Sequence, residues 1–280
     1  MLICWAETMV PGNINCDAWG EEFKRAVAAS GIPTLAGSNY WVAAGPDKPA
    51  ADPHSFNGAF MFDGQGAEIC HYFKRRLVPF GEYIPFTRRF PFLKALRSVT
   101  RDQYTPGVAP CPPSRVSEYV ISVNICVEDI HPDMAREAVL SGASVLVNLT
   151  NDGWFYGTYG PRSHMQAAAW RAIETRRPLL RVTNTGLTVA VDPLGKVELL
   201  VPKETASTAV VRPRSIAPAT PLPSREGVGG GPRTRTLALL LGDSGEAIIF
   251  AAVLICLLFR ALGFGPWALG APGEEAEPKA

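Results

Sequence analysis

From Leu2 to about Val201 the chain alternates short β-branched or apolar runs with segments of helical period, and this alternation confines it to an α/β domain. Strands are expected at Leu2–Ala6, Thr34–Trp41, Ser55–Phe62, Tyr119–Ile125, Ser144–Leu149, Leu179–Val182 and Leu187–Val191. Helices are expected at Glu21–Ser30, Asp133–Ser141 and Ser163–Arg176. The last is well marked, because Met165, Ala168, Ala169 and Ala172 recur on one face and Pro178 stops it. Asp63-Gly64, between Asn57–Phe62 and Ala67–Phe73, reads as the turn of a β-hairpin.

The character changes after Val211. The run RPRSIAPATPLPSREGVGGGPRTRT holds almost nothing that builds a core and reads as a linker. The expected organisation is a catalytic domain over 1–211, a linker over 212–236, a hydrophobic segment over 237–268 and an acidic tail over 269–280. Within the hydrophobic segment Ala247–Phe259 is an unbroken apolar run of 13 residues. Extended through Trp267 it approaches the ~20 residues a spanning helix needs, with Arg260 reaching back to the interface, so a transmembrane helix is expected. The basic residues around it are too evenly placed to orient it. The amino terminus runs straight into an apolar strand with no basic segment ahead of it, so no signal peptide is expected.

A formal charge of +1 over 280 residues gives no concentrated basic field, which argues against a nucleic-acid partner. The six cysteines show no C-x-x-C pair and no histidine at metal-ligand spacing, so neither a metal site nor a disulfide framework is expected. Three segments then stand out because each ends a strand-like run on an ionisable residue. In LICWAET, Glu7 sits where a partly desolvated carboxylate suits a general base. In HYFKRRLVPFGEYIP, Lys74 follows the hairpin and Glu82 lies in a stiff Pro-Phe-Gly turn. In VISVNICVEDIHPD, a strand delivers Cys126 to a strand-to-helix turn, where helix-end amides and a nearby cation favour thiolate, with Glu128 two residues on. Taken singly, each residue reads more readily as rim, solvent-exposed or core. Their joint occurrence in this order carries the chemistry.

These segments resemble the Glu, Lys and Cys motifs of the nitrilase superfamily. LVPFGEYIPF after Lys74, ICVE around Cys126 and NLTNDGWFYGTYGPRSHMQAAAWRAIETRRPLLRVTNTGLTVAVDPLGKV resemble the apolipoprotein N-acyltransferase family more closely still, over Leu2 to about Val201. The hydrophobic segment near Ala247–Leu262 is similar in position to that family's last membrane helix. The resemblance implies a nitrilase-type αββα sandwich with a C-terminal membrane helix, on the extracytoplasmic face of a bacterial inner membrane. It implies Cys126 as nucleophile, Glu7 as base and Lys74 as oxyanion stabiliser, with Glu82 orienting Lys74 and Glu128 holding the loop after Cys126. The acyl donor would be a phospholipid and the acceptor a diacylglyceryl apolipoprotein, with no metal or organic cofactor. Val127, Trp154 and Phe155 are candidate substrate contacts, whereas His164 reads as structural or surface and Arg171, Glu174 and Arg177 as a solvent-facing or subunit-facing row of ion pairs.

The chain departs from that family's pattern in three ways. It opens at the Glu7 strand, so an N-terminally truncated member lacking the preceding strand and membrane helices is expected. Val127 stands where the family usually has an aromatic residue, and the linker is longer than expected. Two other readings use the same residues: a soluble carbon–nitrogen hydrolase acting on a small amide, and an inactive, membrane-tethered fragment.

Overall fold

Strand His54–Phe62 illustrates the logic of the whole domain, because both of its faces are buried. Ala59 and Met61 point into one apolar cluster and Phe60 and Phe62 into another, so the strand reads as nearly continuous apolar sequence. The chain is described by a computed structural model over residues 1–43, 54–87, 89–90, 92, 104–109 and 113–213. In chain order the elements are β1 Ile3–Cys4, β2 Val10–Asn13, α1 Ala18–Ser30, β3 Thr34–Val42, β4 His54–Phe62, β5 Glu68–Phe73, β6 Ser114–Val116 and β7 Tyr119–Ile125. There follow α2 Pro132–Leu140, β8 Val145–Thr150, α3 Gly160–Thr175, β9 Leu179–Thr183, β10 Thr188–Val191 and β11 Val197–Val201.

One sheet has the order β1-β3-β4-β5, with β2 also paired to β3, and the second runs β11-β10-β9-β8-β7-β6. The antiparallel hairpin β4–β5 closes at the expected Asp63-Gly64 turn, where Asp63 Oδ1 accepts from the backbone N–H of Gln65 and Ala67. The centre of the second sheet, β7-β8-β9, is parallel. Leu35, Ala59, Met61 and Tyr72 of the first sheet pack against Ile121, Ile125, Val145, Val147 and Leu149 of the second, which makes the sandwich core. Helix α1 covers the outer face of the first sheet through Val27 and Phe23, and α2 and α3 cover the second through Ala135, Val139, Ala168, Ala169 and Ala172. The layers are therefore α, β, β, α, the expected nitrilase-type arrangement.

The expected strands and helices are all present, with ends shifted by a few residues. Three strands are additions: β2, whose Pro-Gly sequence resists a strand reading, the short β6, and β11. No disulfide framework is expected from the cysteine spacing; Cys70 is nonetheless disulfide-bonded, whereas Cys4, Cys16 and Cys126 are free. The segment 237–268 expected to cross a membrane lies outside the described residues. Among the described residues no helix is long and apolar enough to do so.

Candidate active site

The parallel register of the second sheet determines which strand ends gather. Strand β7 ends at Ile125, and the next residue, Cys126, turns into a short 3₁₀ segment, Cys126–Ile130, with a φ of 52°. That left-handed conformation is uncommon for a residue with a Cβ and persists only where its surroundings hold it. Two neighbours do so. Asn148 of β8 donates to the Cys126 carbonyl at 2.9 Å, and Glu128 accepts from the Ile125 N–H at 2.8 Å.

Glu128 is wholly occupied. Its other oxygen accepts from Tyr72 Oη at 2.7 Å and from the backbone N–H of Arg75 and Arg76 at 2.7 and 3.0 Å. Burial pushes its carboxyl up despite these donors. Arg75 directly follows Lys74, so Glu128 joins the Cys126 turn to the end of β5 that presents Lys74.

Lys74 is 1% exposed and donates to Glu82 at 2.7 Å and to Glu7 at 3.2 Å. Burial alone would lower its pKa, but the charges of Glu7, Cys126 and Glu82 outweigh this and raise it, so the ammonium stays charged. The second Glu82 oxygen accepts from the Val78 N–H at 2.8 Å, which anchors the Pro-Phe-Gly turn. Glu7 is held by three donors: Lys74, Asn57 Nδ2 at 2.7 Å, and the Asn151 N–H at 2.6 Å on its other oxygen. The structure thus gathers Glu7, Lys74 and Glu82 into one buried ionic group whose charges act on Cys126.

Burial pushes the Cys126 thiol well above its usual range; Glu7 adds to this, Lys74 opposes it, and Asp129 and Glu82 push it further up. These influences run against the thiolate stabilisation expected at this turn. Two carboxylates outnumber one ammonium beside the sulfur, so ionising the thiol outright adds negative charge to a site already negative. Moving its proton to Glu7 leaves the total charge of the group unchanged, and this is the chemistry the arrangement favours.

Sequence reasoning missed Asn57 and Asn151, which grip Glu7, and Gly37. Asn57 sits inside a strand pattern and Asn151 acts through its main chain, so neither carries a signal by residue type. A Cβ on Gly37 of β3 would lie 2.5 Å from the Ala6 carbonyl oxygen and 2.6 Å from Glu7 Cα, so only glycine lets the Glu7 segment run this close. Gly37→Ala is expected to displace that segment, cost on the order of 1–3 kcal/mol, and cut turnover about 100-fold. A melting curve with a turnover assay on the folded fraction checks both.

Of the remaining candidates, Val127 is half-buried against the sandwich core, Trp154 is 61% exposed, and Phe155 meets the His164 ring edge-on at 6.2 Å. Of the expected solvent-facing or subunit-facing row of ion pairs, the structure shows the Arg171–Glu174 pair at 2.8 Å. Arg171 is buried and donates to the Ile130 carbonyl and to Glu174, and Arg177 donates to the Ala143 carbonyl.

The carbon–nitrogen hydrolase family model matches residues 2–215. The apolipoprotein N-acyltransferase of Methylococcus capsulatus (strain Bath) is 34% identical over 226 residues, which is 79% of this chain and 42% of that protein. The apolipoprotein N-acyltransferase of Pseudomonas aeruginosa (strain UCBPP-PA14) is 32% identical over 211 residues, 72% of this chain and 38% of that protein. The chain therefore spans about two fifths of the length of these relatives. Among solved structures, the amidase from Nesterenkonia sp. AN1 aligns with a TM-score of 0.50 at 19% identity, covering 70% of this chain and 73% of that one, a likeness of fold.

Proposed function

The chain belongs to the carbon–nitrogen hydrolase family, and from that premise we propose that it is the catalytic domain of an apolipoprotein N-acyltransferase, moving a fatty acyl group from a phospholipid to a lipoprotein through a Cys126 thioester. The observation that carries the chemistry is the buried Glu7–Lys74–Glu82 group acting on a protonated thiol at a strained turn. The relatives named for this activity support the substrate.

Glu7 takes the proton of Cys126 as the sulfur attacks the ester carbonyl of the phospholipid. The Lys74 ammonium, aided by a main-chain N–H near Val127, stabilises the oxyanion as it forms. Collapse breaks the ester C–O bond, and Glu7 returns the proton to the departing lysophospholipid hydroxyl. The free α-amino group of the diacylglyceryl-cysteine acceptor then attacks the thioester. Its proton passes through Glu7 to Sγ, so the amide product leaves and the thiol is restored. Glu82 keeps Lys74 charged and aimed, and Glu128 fixes the turn.

The turns that grip this group also carry exposed aromatic side chains, Phe80 beside Glu82 and Trp154 and Tyr156 beyond Asn151, which supports an apolar substrate. The disulfide at Cys70 supports an oxidising compartment and hence the extracytoplasmic side. The domain over 1–211, the linker, and a membrane-crossing segment at 237–268 complete this reading, with Val127, Trp154 and Phe155 contacting substrate.

Intact-mass spectrometry of the detergent-solubilised chain with phospholipid tests it. A mass gain equal to one acyl group, absent from Cys126→Ala and discharged by a diacylglyceryl-cysteine peptide, is expected. Turnover of small amides through Cys126 with no lipid adduct would replace this reading with that of a hydrolase.

A further inference from the structure

Behind the Cys126 turn lies a second buried ionic group that the proposed mechanism does not use. Leu179 and Arg181 of β9 face α3, and in the sheet register Arg181 sits beside Asn148, which sits beside Asn124. Arg181 has no exposed surface. Its guanidinium donates to Asp129 at 2.9 Å, to Asn148 Oδ1 at 3.0 Å, to Thr150 Oγ1 at 3.2 Å, and to both Asp152 oxygens at 3.0 and 2.9 Å. His164 of α3 lies among Asp129, Asp152 and Arg181, with Nε2 2.9 Å from Asp129 and Nδ1 3.1 Å from Asp152 and 3.0 Å from Arg181 Nη2.

The connectivity gives this group a purpose. Asp129 belongs to the Cys126–Ile130 turn, while Asp152 follows Asn151, whose N–H holds Glu7. Arg181 also fixes the Asn148 side chain: with Oδ1 turned to the guanidinium, Nδ2 faces the Cys126 carbonyl. Gly186 is shaped to the same end, since a Cβ there would lie 1.9 Å from an Asp152 oxygen.

We propose that Asp129, Asp152, His164 and Arg181 form one positioning unit that sets the Cys126 turn against the turn holding Glu7. The inference rests on the reading of Cys126 and Glu7 as the reacting pair. The charges balance only while His164 is protonated, two carboxylates against one guanidinium and one imidazolium. Burial alone would lower the His164 pKa, but Asp129 and Asp152 raise it to about 9 despite Arg181, and among the described residues these three are the charged groups in contact with the ring. The folded value lies above the unfolded one, so the contribution is complete below the ordinary histidine pKa and is lost as pH rises through about 9. Above that point an uncompensated negative charge faces a thiol that already feels Asp129 as well as Glu7, Glu82 and Lys74.

The test is the rate of Cys126 alkylation by iodoacetamide on the full chain from about pH 7 to about pH 10, read by peptide mass mapping, for wild type and His164→Gln. In wild type the rate is expected to climb about tenfold per pH unit and then to break to a shallower slope at about 9. In His164→Gln the unit lacks its proton at every pH, so the break disappears and the rate near neutrality falls about tenfold per folded molecule. A wild-type profile that climbs straight through the range overturns the proposal, and so does a break that survives in His164→Gln. The wild-type profile decides the matter alone if the variant does not fold. A Cys126 that stays unlabelled throughout overturns both the proposal and the nucleophile reading, whereas missing lipid transfer with a normal break touches only the proposed substrate.

Discussion

Glu7→Gln is expected to slow acyl transfer by about 10²–10⁴-fold, the usual contribution of a positioned base, while making the Cys126 thiol easier to ionise. The two effects have opposite sign because the proposed mechanism gives Glu7 two roles. As a base it accepts the thiol proton during attack. As a fixed negative charge it is the largest electrostatic influence holding the thiol up. The amide removes both. It also replaces an oxygen that only accepts by an NH₂ that only donates, and each Glu7 oxygen already faces donors: Lys74 and Asn57 on one, the Asn151 N–H on the other. Glu7→Asp separates the roles, since it keeps the charge and withdraws the carboxylate by one methylene. It is expected to lose transfer while its thiol stays hard to ionise. The pH dependence of iodoacetamide labelling, set beside the acyl-adduct rate, reads both quantities. If Glu7→Gln labelled on the wild-type curve, Glu7 would not be acting electrostatically on Cys126.

That pairing of roles was legible in the sequence only in part. The strands and helices that carry Glu7, Lys74 and Cys126 follow from local patterns: Tyr119–Ile125 alternates and ends at the cysteine, and Ala168, Ala169 and Ala172 mark the buried stripe of α3. What local patterns could not give are the partners. Arg181 reads as an interruption in an apolar strand, yet it is fully buried because Asp129, 52 positions away, and Asp152 meet it across the fold. Likewise His164 has no signature in its helix, since its two acids come from different turns. Thiolate stabilisation was expected at Cys126 because a strand-to-turn cysteine near a lysine usually has it. The outcome reversed because burial and the Glu7 and Glu82 charges outweigh a single ammonium. Motifs identify which groups are present, but the balance of charge around them depends on tertiary contacts.

Lys74→Met tests that balance from the other side, and its expected effect on stability is the largest of any single change here. Lys74 is the cation between two carboxylates, and the Asn57 side chain donates to the same Glu7 and Glu82 oxygens at 2.7 and 3.3 Å. Removing one partner of a buried ion pair leaves charge uncompensated and costs on the order of 3–5 kcal/mol, which for a domain of this size lowers the melting temperature by roughly 10 °C. Turnover is expected to vanish, because no cation remains to meet the oxyanion. The stability loss has a definite pH dependence. In wild type the raised Lys74 pKa gives a contribution that is complete below the unfolded lysine value, so it is constant across neutral pH. In Lys74→Met the two facing carboxylates repel, and one must take up a proton more readily than it does in the unfolded chain. The deficit is therefore expected to be full at neutral and alkaline pH and to shrink as pH falls through that raised value. Adding Glu82→Gln to Lys74→Met removes the repulsion, and should recover most of the stability at neutral pH but none of the turnover. Urea denaturation of wild type and the two variants at several pH values checks this. A deficit that is the same at every pH, or one that Glu82→Gln does not relieve, would mean that Lys74 is held by packing and that its charge is not what stabilises the site.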